Sequence, residues 1–575
     1  MKKGSITIYL SLVLISVLLL VCIIIESTRI NVVQTECKAF THLASDSVLA
    51  GYARQVYKDY GILLVWEEKT LKEQLMEYIQ ANIEQADLNF TTTNIMATRI
   101  RDIKIRQVQY VGHNGGETFI AQILSYMKYA VTTKSVNKLI SLYSQNNDYQ
   151  ERNDTAEDMI NVKENSDISK IVDDINNELC NMKNNNMNNQ FATERKRTKF
   201  LKKVNQIIEM IESYQEKRED IVKEYKEIQG NDYMDFNLNI LEQIKNRIEK
   251  EELMDSSRFE DKWVDISKEI QKKIKELKVN VISEEDKKNK GIYESAKRFL
   301  ERGILSMVID DSSNISSAAI SDSDLPSNKE TDKTDLSCSA IDKAKVILYG
   351  GMKFGNYCSI KNNTDLKYEL EYIIAGKDTD HSNLATTVEQ MAGIRNITTL
   401  AYILTDKDKM TKLSTIAASA TTAIGLPFLE PVIKAVLVEA WALAEAIHDV
   451  KILMSGKKID VIKNNKNWNT GIHNLICNET KGSEKKSAID YKQFCYILLM
   501  KERMSKIAFR MMDLIQVNIK KNYNQSFKMN QCFSGFQIQA QYEAEPLFIS
   551  MPFIINFLGE KIGTYKFYVE SKMQY

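Results

Sequence analysis

The first hydrophobic feature of the chain is a block rather than a periodicity. From Ser5 to Ile25 no residue is charged, and 21 residues at 1.5 Å per helical residue reach about 31 Å, the thickness of a bilayer's hydrocarbon core. Beyond it the pattern turns helical. Ile30, Val33, Cys37, Phe40, Ala44, Val48 and Leu49 recur mostly at three- and four-residue steps, with no Pro or Gly before Gly51, so the helix is expected to run on as a stalk. "SVLAGYARQVYKDYGILLV" then bends at Gly61, and "EEKTLKEQLMEYIQANIEQ" reads as another helix. In "TRIRDIKIRQVQYVG" the alternation of Ile103 and Ile105, then Val108 and Tyr110, predicts a strand with a bulge. A helix follows from about Glu117 to Tyr143.

Residues 145–190 are rich in Asn, Asp and Glu and are expected to be a loose linker, having too little apolar surface to bury. From Phe191 a heptad appears, with Val204, Ile211 and Tyr225 at one position and Ile207, Tyr214, Ile221 and Ile228 at the other, broken by Arg218. It resumes through Leu241, Ile244 and Ile248 and again through Ile266, Ile270, Ile274 and Leu277. This predicts an antiparallel, coiled-coil-like helical hairpin over 191–309, an arm on the body. The Ser- and Asp-rich stretch at 310–338 reads as a disordered linker. In "LKYELEYII", Leu366, Tyr368, Leu370 and Tyr372 alternate as in a half-buried strand. Helices are expected at 382–405 and 410–455. The apolar stretch from Ser414 is no second span, because Pro427, Glu430, Pro431 and Lys434 divide it and Glu439 and Glu445 add charge. "DYKQFCYILLMKERMSKIAFRMMDLIQVNIKK" reads as one amphipathic helix, and "FQIQAQYEAE" and "TYKFYVESKMQY" as two strands around the apolar "PLFISMPFIINFLG".

The expected fold is therefore α+β and predominantly helical. It has a short tip (1–4), a transmembrane helix (5–25) continuing into a stalk and a first part of the body (26–144), the linker, the arm, the second linker, and a mixed second part of the body with a C-terminal β-hairpin (339–575).

Composition narrows the function. The 77 basic and 77 acidic residues cancel, so no general attraction to nucleic acid is expected. The eight cysteines lie far apart with no CxxC pair, which leaves a structural metal without a seat. Most are expected to be buried thiols; Cys338 with Cys358, or Cys477 with Cys495, are the bridges an oxidising compartment would favour.

The apolar block itself reads as a retained anchor. A cleaved signal has a shorter core and a small-x-small exit, whereas this one leaves through Cys22-Ile23-Ile24-Ile25-Glu26. A lipid-modified Cys22 would want a small residue where Val21 stands. Lys2 and Lys3 flank the short end, so the positive-inside rule keeps the N-terminus in the cytoplasm and sends the bulk outside. Glu26 and Arg29 are expected to mark the membrane interface with Lys2 and Lys3. That topology excludes receptors and motors that need a cytoplasmic output domain.

Catalytic chemistry has little to stand on. The five histidines are scattered, with no HExxH, no GxSxG elbow and no Walker loop. Gly350, Gly351 and Gly355 are too sparse for a phosphate loop, and "DTDHSN" lacks the glycine and closing glutamate of a calcium loop. Glu439, Glu445 and Asp449 fall near one side of a helix, where an acid/base set competes with a simpler reading as carboxylates satisfied by a lysine. Asp513 and Arg510 have the spacing of a buried ion pair.

The blocks "KGSITIYLSLVLISVLLLVCIIIESTRI", "SVLAGYARQVYKDYGILL", "YELEYIIAGKDTDHSNL", "WALAEAIHDVKILMSGKKIDVIKN" and "DYKQFCYILLMKERMSKIAFRMMDLIQVNI" together resemble a family of uncharacterised single-pass membrane proteins of Gram-positive-type bacteria. At its N-terminus that family is similar to pseudopilin-like proteins of tight-adherence (Tad) pilus systems. The resemblance implies service at an envelope-spanning pilus or secretion apparatus, a processing junction at Gly4 and Ser5, and other envelope proteins as partners. The expected function is a membrane-anchored extracytoplasmic structural or assembly protein with no catalysis and no cofactor. The alternative is an envelope enzyme using carboxylates of the second half.

Overall fold

The computed structural model describes residues 2–66, 70–88, 96–151, 165–184, 193–224, 233–252, 259–278, 283–309, 315–320, 322–329, 336, 338–424, 429–476, 482–485, 487–550 and 563–575. The protein is predominantly helical with a small antiparallel sheet. It divides into a first unit, Met1–Tyr143, Asn314–Thr387 and Lys492–Tyr575, and a second, Ser144–Ser313 and Val388–Tyr491.

In the first unit the apolar block and the stalk form one helix, Lys2–Ala50, which ends where Gly51 was expected to stop it. Its front is bare: Ile8, Leu10, Leu14 and Leu20 are each at least 60% exposed. Among the described residues it is the one helix long and apolar enough to cross a membrane. From Val33 onward the same helix becomes a core element. Val33, Cys37, Phe40, Ala44 and Val48 are buried against Ile538, Ala540, Tyr542 and Val569.

Those partners come from a four-stranded antiparallel sheet of β1 (Val65–Trp66), β2 (Thr98–Tyr110), β3 (Cys532–Ala544) and β4 (Tyr565–Gln574). β3 is central. β2 pairs along one edge, with register shifts that include the expected bulge between Ile105 and Gln107. β4 closes the predicted hairpin on the other edge. The Thr41 hydroxyl sits 2.7 Å from that of Tyr542, and burial together with the Glu36 charge pushes the Cys37 thiol up to about 12. Of the "PLFISMPFIINFLG" segment, residues 551–559 lie outside the described residues.

Four expectations are corrected in this unit. "LKYELEYII" is a helix, Glu369–Ala375, rather than a strand. Alternation requires one open face, and here Glu369 to Ile374 are all buried. The two glutamates tolerate this because Glu369 accepts the Gly355 N–H (2.7 Å) and Glu371 the Tyr357 N–H (2.8 Å). The helix expected at 117–143 is two, Glu117–Ala130 and Thr133–Glu151, and the last amphipathic helix is likewise two, Tyr491–Lys501 and Met504–Asn522. Finally, the described parts of 310–338 are docked, not loose. Ala319 bridges Thr379, Asp322 accepts from Gln516 and Lys520, and the Ser327 N–H reaches Asp513 at 2.9 Å. Polar side chains hold this segment where apolar ones are scarce.

Gly350 and Gly351 belong to a helix, Ala340–Lys353, and serve close packing rather than phosphate. A Cβ on Gly351 would fall 1.9 Å from the Tyr496 hydroxyl.

In the second unit, the stretch expected to be an Asn-rich linker contains a helix, Asn165–Asn184, with Val172, Ile175, Leu179 and Met182 buried. Their four- and three-residue steps make an apolar stripe that the polar composition hides. Val204, Ile207, Ile211 and Tyr214 on Glu194–Glu224, Leu241, Ile244 and Ile248 on Tyr233–Glu252, and Ile266, Ile270 and Ile274 on Phe259–Glu276 with Leu277 just beyond it, are buried as expected, and the Ile221 side chain lies outside the described set. Tyr225 and Ile228 lie outside the described residues. These helices are no two-helix arm, because they share one core with Glu284–Leu300, Lys407–Ile424 and Glu430–Met454. The last two are the buried core helices that the interrupted apolar stretch predicted.

Candidate functional site

Just past the apolar block, Glu26 and Arg29 are buried, at 1% and 5% exposure. Arg29 Nη2 lies 2.6 Å from Glu26 Oε1. The other Glu26 oxygen accepts the Leu547 and Phe548 N–H groups, at 3.3 and 2.8 Å. Arg29 donates to the carbonyls of Met96 (3.2 Å) and Glu545. These partners stand where β2 begins and β3 ends, so the pair fastens the helix Lys2–Ala50 to the end of the sheet. Glu26 and Arg29, expected to mark the membrane interface, are held within the fold by the backbone groups of the sheet end. Lys2, Lys3, Gly4 and Ser5 fall in the first turn of the helix, with side chains outside the described set.

The carboxylates of Glu430–Met454 enter a closed network. Lys463 Nζ lies 2.5 Å from Glu445 Oε1 and 2.9 Å from Asp449 Oδ1, while Arg395 reaches Asp449 Oδ2 at 2.6 Å. Every member is at most 6% exposed. Burial works against the charge on Asp449, but Arg395 and Lys463 outweigh it and hold its carboxyl below the usual range. Glu445 Oε2 also accepts the Thr470 N–H and hydroxyl, both at 2.8 Å. The Thr470 carbonyl in turn takes the indole N–H groups of Trp441 and Trp468. The network thus pins the turn that follows Thr470. Glu439 lies apart, held by Asn396 at 2.7 Å, and burial raises its pKa. Carboxylates satisfied by a lysine, the simpler reading, describe Glu445 and Asp449.

Sequence spacing missed Lys409, whose ammonium lies 5.1 Å from the Tyr402 ring centre and 5.0 Å from that of Trp468. Its carboxylate partner is Asp406, 3.0 Å away. The Lys-Asp spacing and nearby Tyr402 hinted at it, while the Trp468 ring arrives from a distant segment.

Asp513 and Arg510 do not satisfy each other as the spacing suggested. Arg510 caps the carbonyls of Ile373 and Ile374 at the end of Glu369–Ala375, at 2.8 and 2.6 Å. Asp513 instead accepts from Ser327 and the Tyr372 hydroxyl. Burial pushes Asp513 up to about 6 and Glu369 up to about 7, against the opposing hydrogen bonds each receives.

These shifts set a pH dependence. Both carboxyls hold their protons longer in the folded than in the unfolded chain, so their stabilisation is complete below about pH 4 and lost as pH rises through 6 and 7. Unfolding by urea between pH 4 and 8 should show the first unit weakening over that range. The Asp513→Asn/Glu369→Gln double variant should flatten the slope, and an unaltered slope would reject the assignment.

Within this frame, residues 282–544 match the model of a "Family of unknown function (DUF5702)". The match takes in the Glu445 network, Lys409, Glu369 and Asp513, and leaves the N-terminal helix outside. No curated protein and no solved structure matches the chain.

Proposed function

We propose that this protein is a membrane-anchored extracytoplasmic structural or assembly component, serving a Tad-type pilus or secretion apparatus together with other envelope proteins, without catalysis of its own. The observation that carries the reading is the continuity of Lys2–Ala50. A helix that bares aliphatic side chains over its first half and buries its second half against a sheet couples the body stiffly to the lipid. The Glu26–Arg29 clamp adds a lock at the junction. Such a coupling suits a part that must hold a position relative to a membrane. Of the carboxylates named for the enzyme alternative, Glu445 is engaged by Lys463 and Glu439 by Asn396, which favours the non-catalytic reading. Tyr9 stands five residues after Gly4, where pilins carry a glutamate, which favours a retained anchor over a polymerising subunit.

The test is fractionation and protease access. The protein should stay with membranes through alkaline carbonate washing, and protease added to wall-stripped cells should digest the body. The Leu14→Arg/Val17→Arg variant, at about 2.5–3.5 kcal/mol of insertion cost per arginine, should move most of the protein out of the integral fraction. Release of the unaltered protein into the supernatant, or full protection from external protease, would overturn the anchor. Mass spectrometry of the mature N-terminus separates a retained Met1 from processing to Ser5.

A further inference from the structure

Two adjoining cavities in the second unit share Phe299, Arg302, Leu475 and Ile476 as lining. The larger, about 580 Å³, opens along one face of Glu284–Leu300, where Lys288, Gly291, Ser295 and Arg298 recur at three- and four-residue steps. Gly291 leaves that face clear, with no atom within 4 Å of where its Cβ would stand. The opposite wall is the turn after Thr470, held by the Glu445 network, which carries Ile472 and His473. The smaller cavity, about 320 Å³, lies between Ile304–Val308 and Glu430–Met454. Both volumes fall in the range of about 300–1,000 Å³ typical of small-molecule sites.

The lining is one-sided in charge. Lys288, Arg298, Arg302 and Lys451 line the cavities with His448 and His473, and among the described residues no carboxylate does, in a chain whose formal charges cancel. Inward from these cations the walls turn apolar, with Phe299, Met307, Ile447 and Leu475. Ile476 remains 44% exposed at the shared wall. Guanidinium groups offer forked donors that match a phosphate, and an aliphatic recess beside them rewards a hydrocarbon chain. A simple anion would leave the recess empty, and a neutral lipid would offer Lys288, Arg298 and Arg302 no counter-charge.

We propose that these cavities bind an amphipathic phosphate, its head among Lys288, Arg298 and Arg302 and its chain toward Met307, Ile447 and Leu475. A glycerophospholipid or a phosphorylated isoprenoid carries this chemistry. The inference is independent of the anchor reading, since it uses only the second unit.

Calorimetry on the full chain in non-ionic detergent tests it with four probes: dihexanoyl phosphatidylglycerol, farnesyl phosphate, dihexanoyl phosphatidylcholine and glycerol phosphate. One or both of the first two should bind at least about tenfold more tightly than the last two, and the tighter of them names the source. Arg298→Gln/Arg302→Gln should weaken that binding about tenfold or more. Gly291→Leu, which fills the mouth while improving helix propensity, should abolish it with an unfolding midpoint no lower than that of the original protein. Equal binding of the zwitterionic or tail-less probe, binding unaffected by both variants, or no binding by any probe would each overturn the proposal. Probe bound equally by all variants belongs to the anchor helix and its detergent.

Discussion

Lys463→Met is expected to cost the second unit about 3–5 kcal/mol of unfolding free energy, the usual penalty for removing one partner from a buried ion pair. Lys463 is 6% exposed and its ammonium meets Glu445, Asp449 and the Asn467 carbonyl within 3.0 Å. Asp449 would keep Arg395. Glu445 would keep its N–H and hydroxyl donors but no cation, and a buried charge without a counter-charge is the costly outcome. Urea unfolding followed by tryptophan fluorescence reads this directly, because the Trp468 ring centre is 6.0 Å from Lys463 Nζ. Adding Glu445→Gln to Lys463→Met should recover part of the loss by removing the stranded charge. A loss below about 1 kcal/mol in the single variant, closer to what an exposed pair contributes, would mean that the network does not carry charge in the folded state.

The second large effect is expected at the junction of anchor and body. Arg29→Leu should cost about 3 kcal/mol, toward the lower end for a broken buried pair, since Glu26 retains the Leu547 and Phe548 N–H groups. The carbonyls of Met96 and Glu545 would lose the guanidinium that now reaches them. The consequence should be local: faster amide exchange at 545–550 and 96–100, with the β3–β4 ladder still protected. Exchange at those amides matching the original protein would show that the clamp adds nothing to the attachment. The contact of Thr41, further along the helix, with Tyr542 of β3 serves as the internal reference.

The residues that spacing misread share a feature. Arg510 and Asp513 stand three apart on one helix, yet the nearest groups they could satisfy come from Ile373, Ile374, Tyr372 and Ser327, more than a hundred positions away in the chain. The Asp- and Ser-rich 310–338 segment docks through the same kind of long-range polar contact. The basic cavities likewise draw on Glu284–Leu300, Ile304–Val308, Glu430–Met454 and the turn after Thr470, segments no local pattern links. By contrast, what satisfied Glu445 and Asp449 could be anticipated in kind, since a buried carboxylate must have a donor, although which lysine supplied it could not.

The sequence by itself determined the features that depend on chain-local geometry: an uncharged run long enough for a bilayer, a helix continuing past it to Gly51, the bulged strand at 98–110, the C-terminal hairpin and the buried heptad positions. A hydrophobic period is a property of neighbours along the chain, so it survives without knowledge of the fold. Only the tertiary structure decided that "LKYELEYII" is a helix covered on both faces, that the 191–309 helices join the second-half helices in one core, and that Glu26 and Arg29 turn inward. Each of these rests on which distant polar group or apolar face arrives to cover a residue: the alternation in "LKYELEYII" is real, but its polar positions Glu369 and Glu371 are buried on backbone N–H donors, so it marks no open face of a strand.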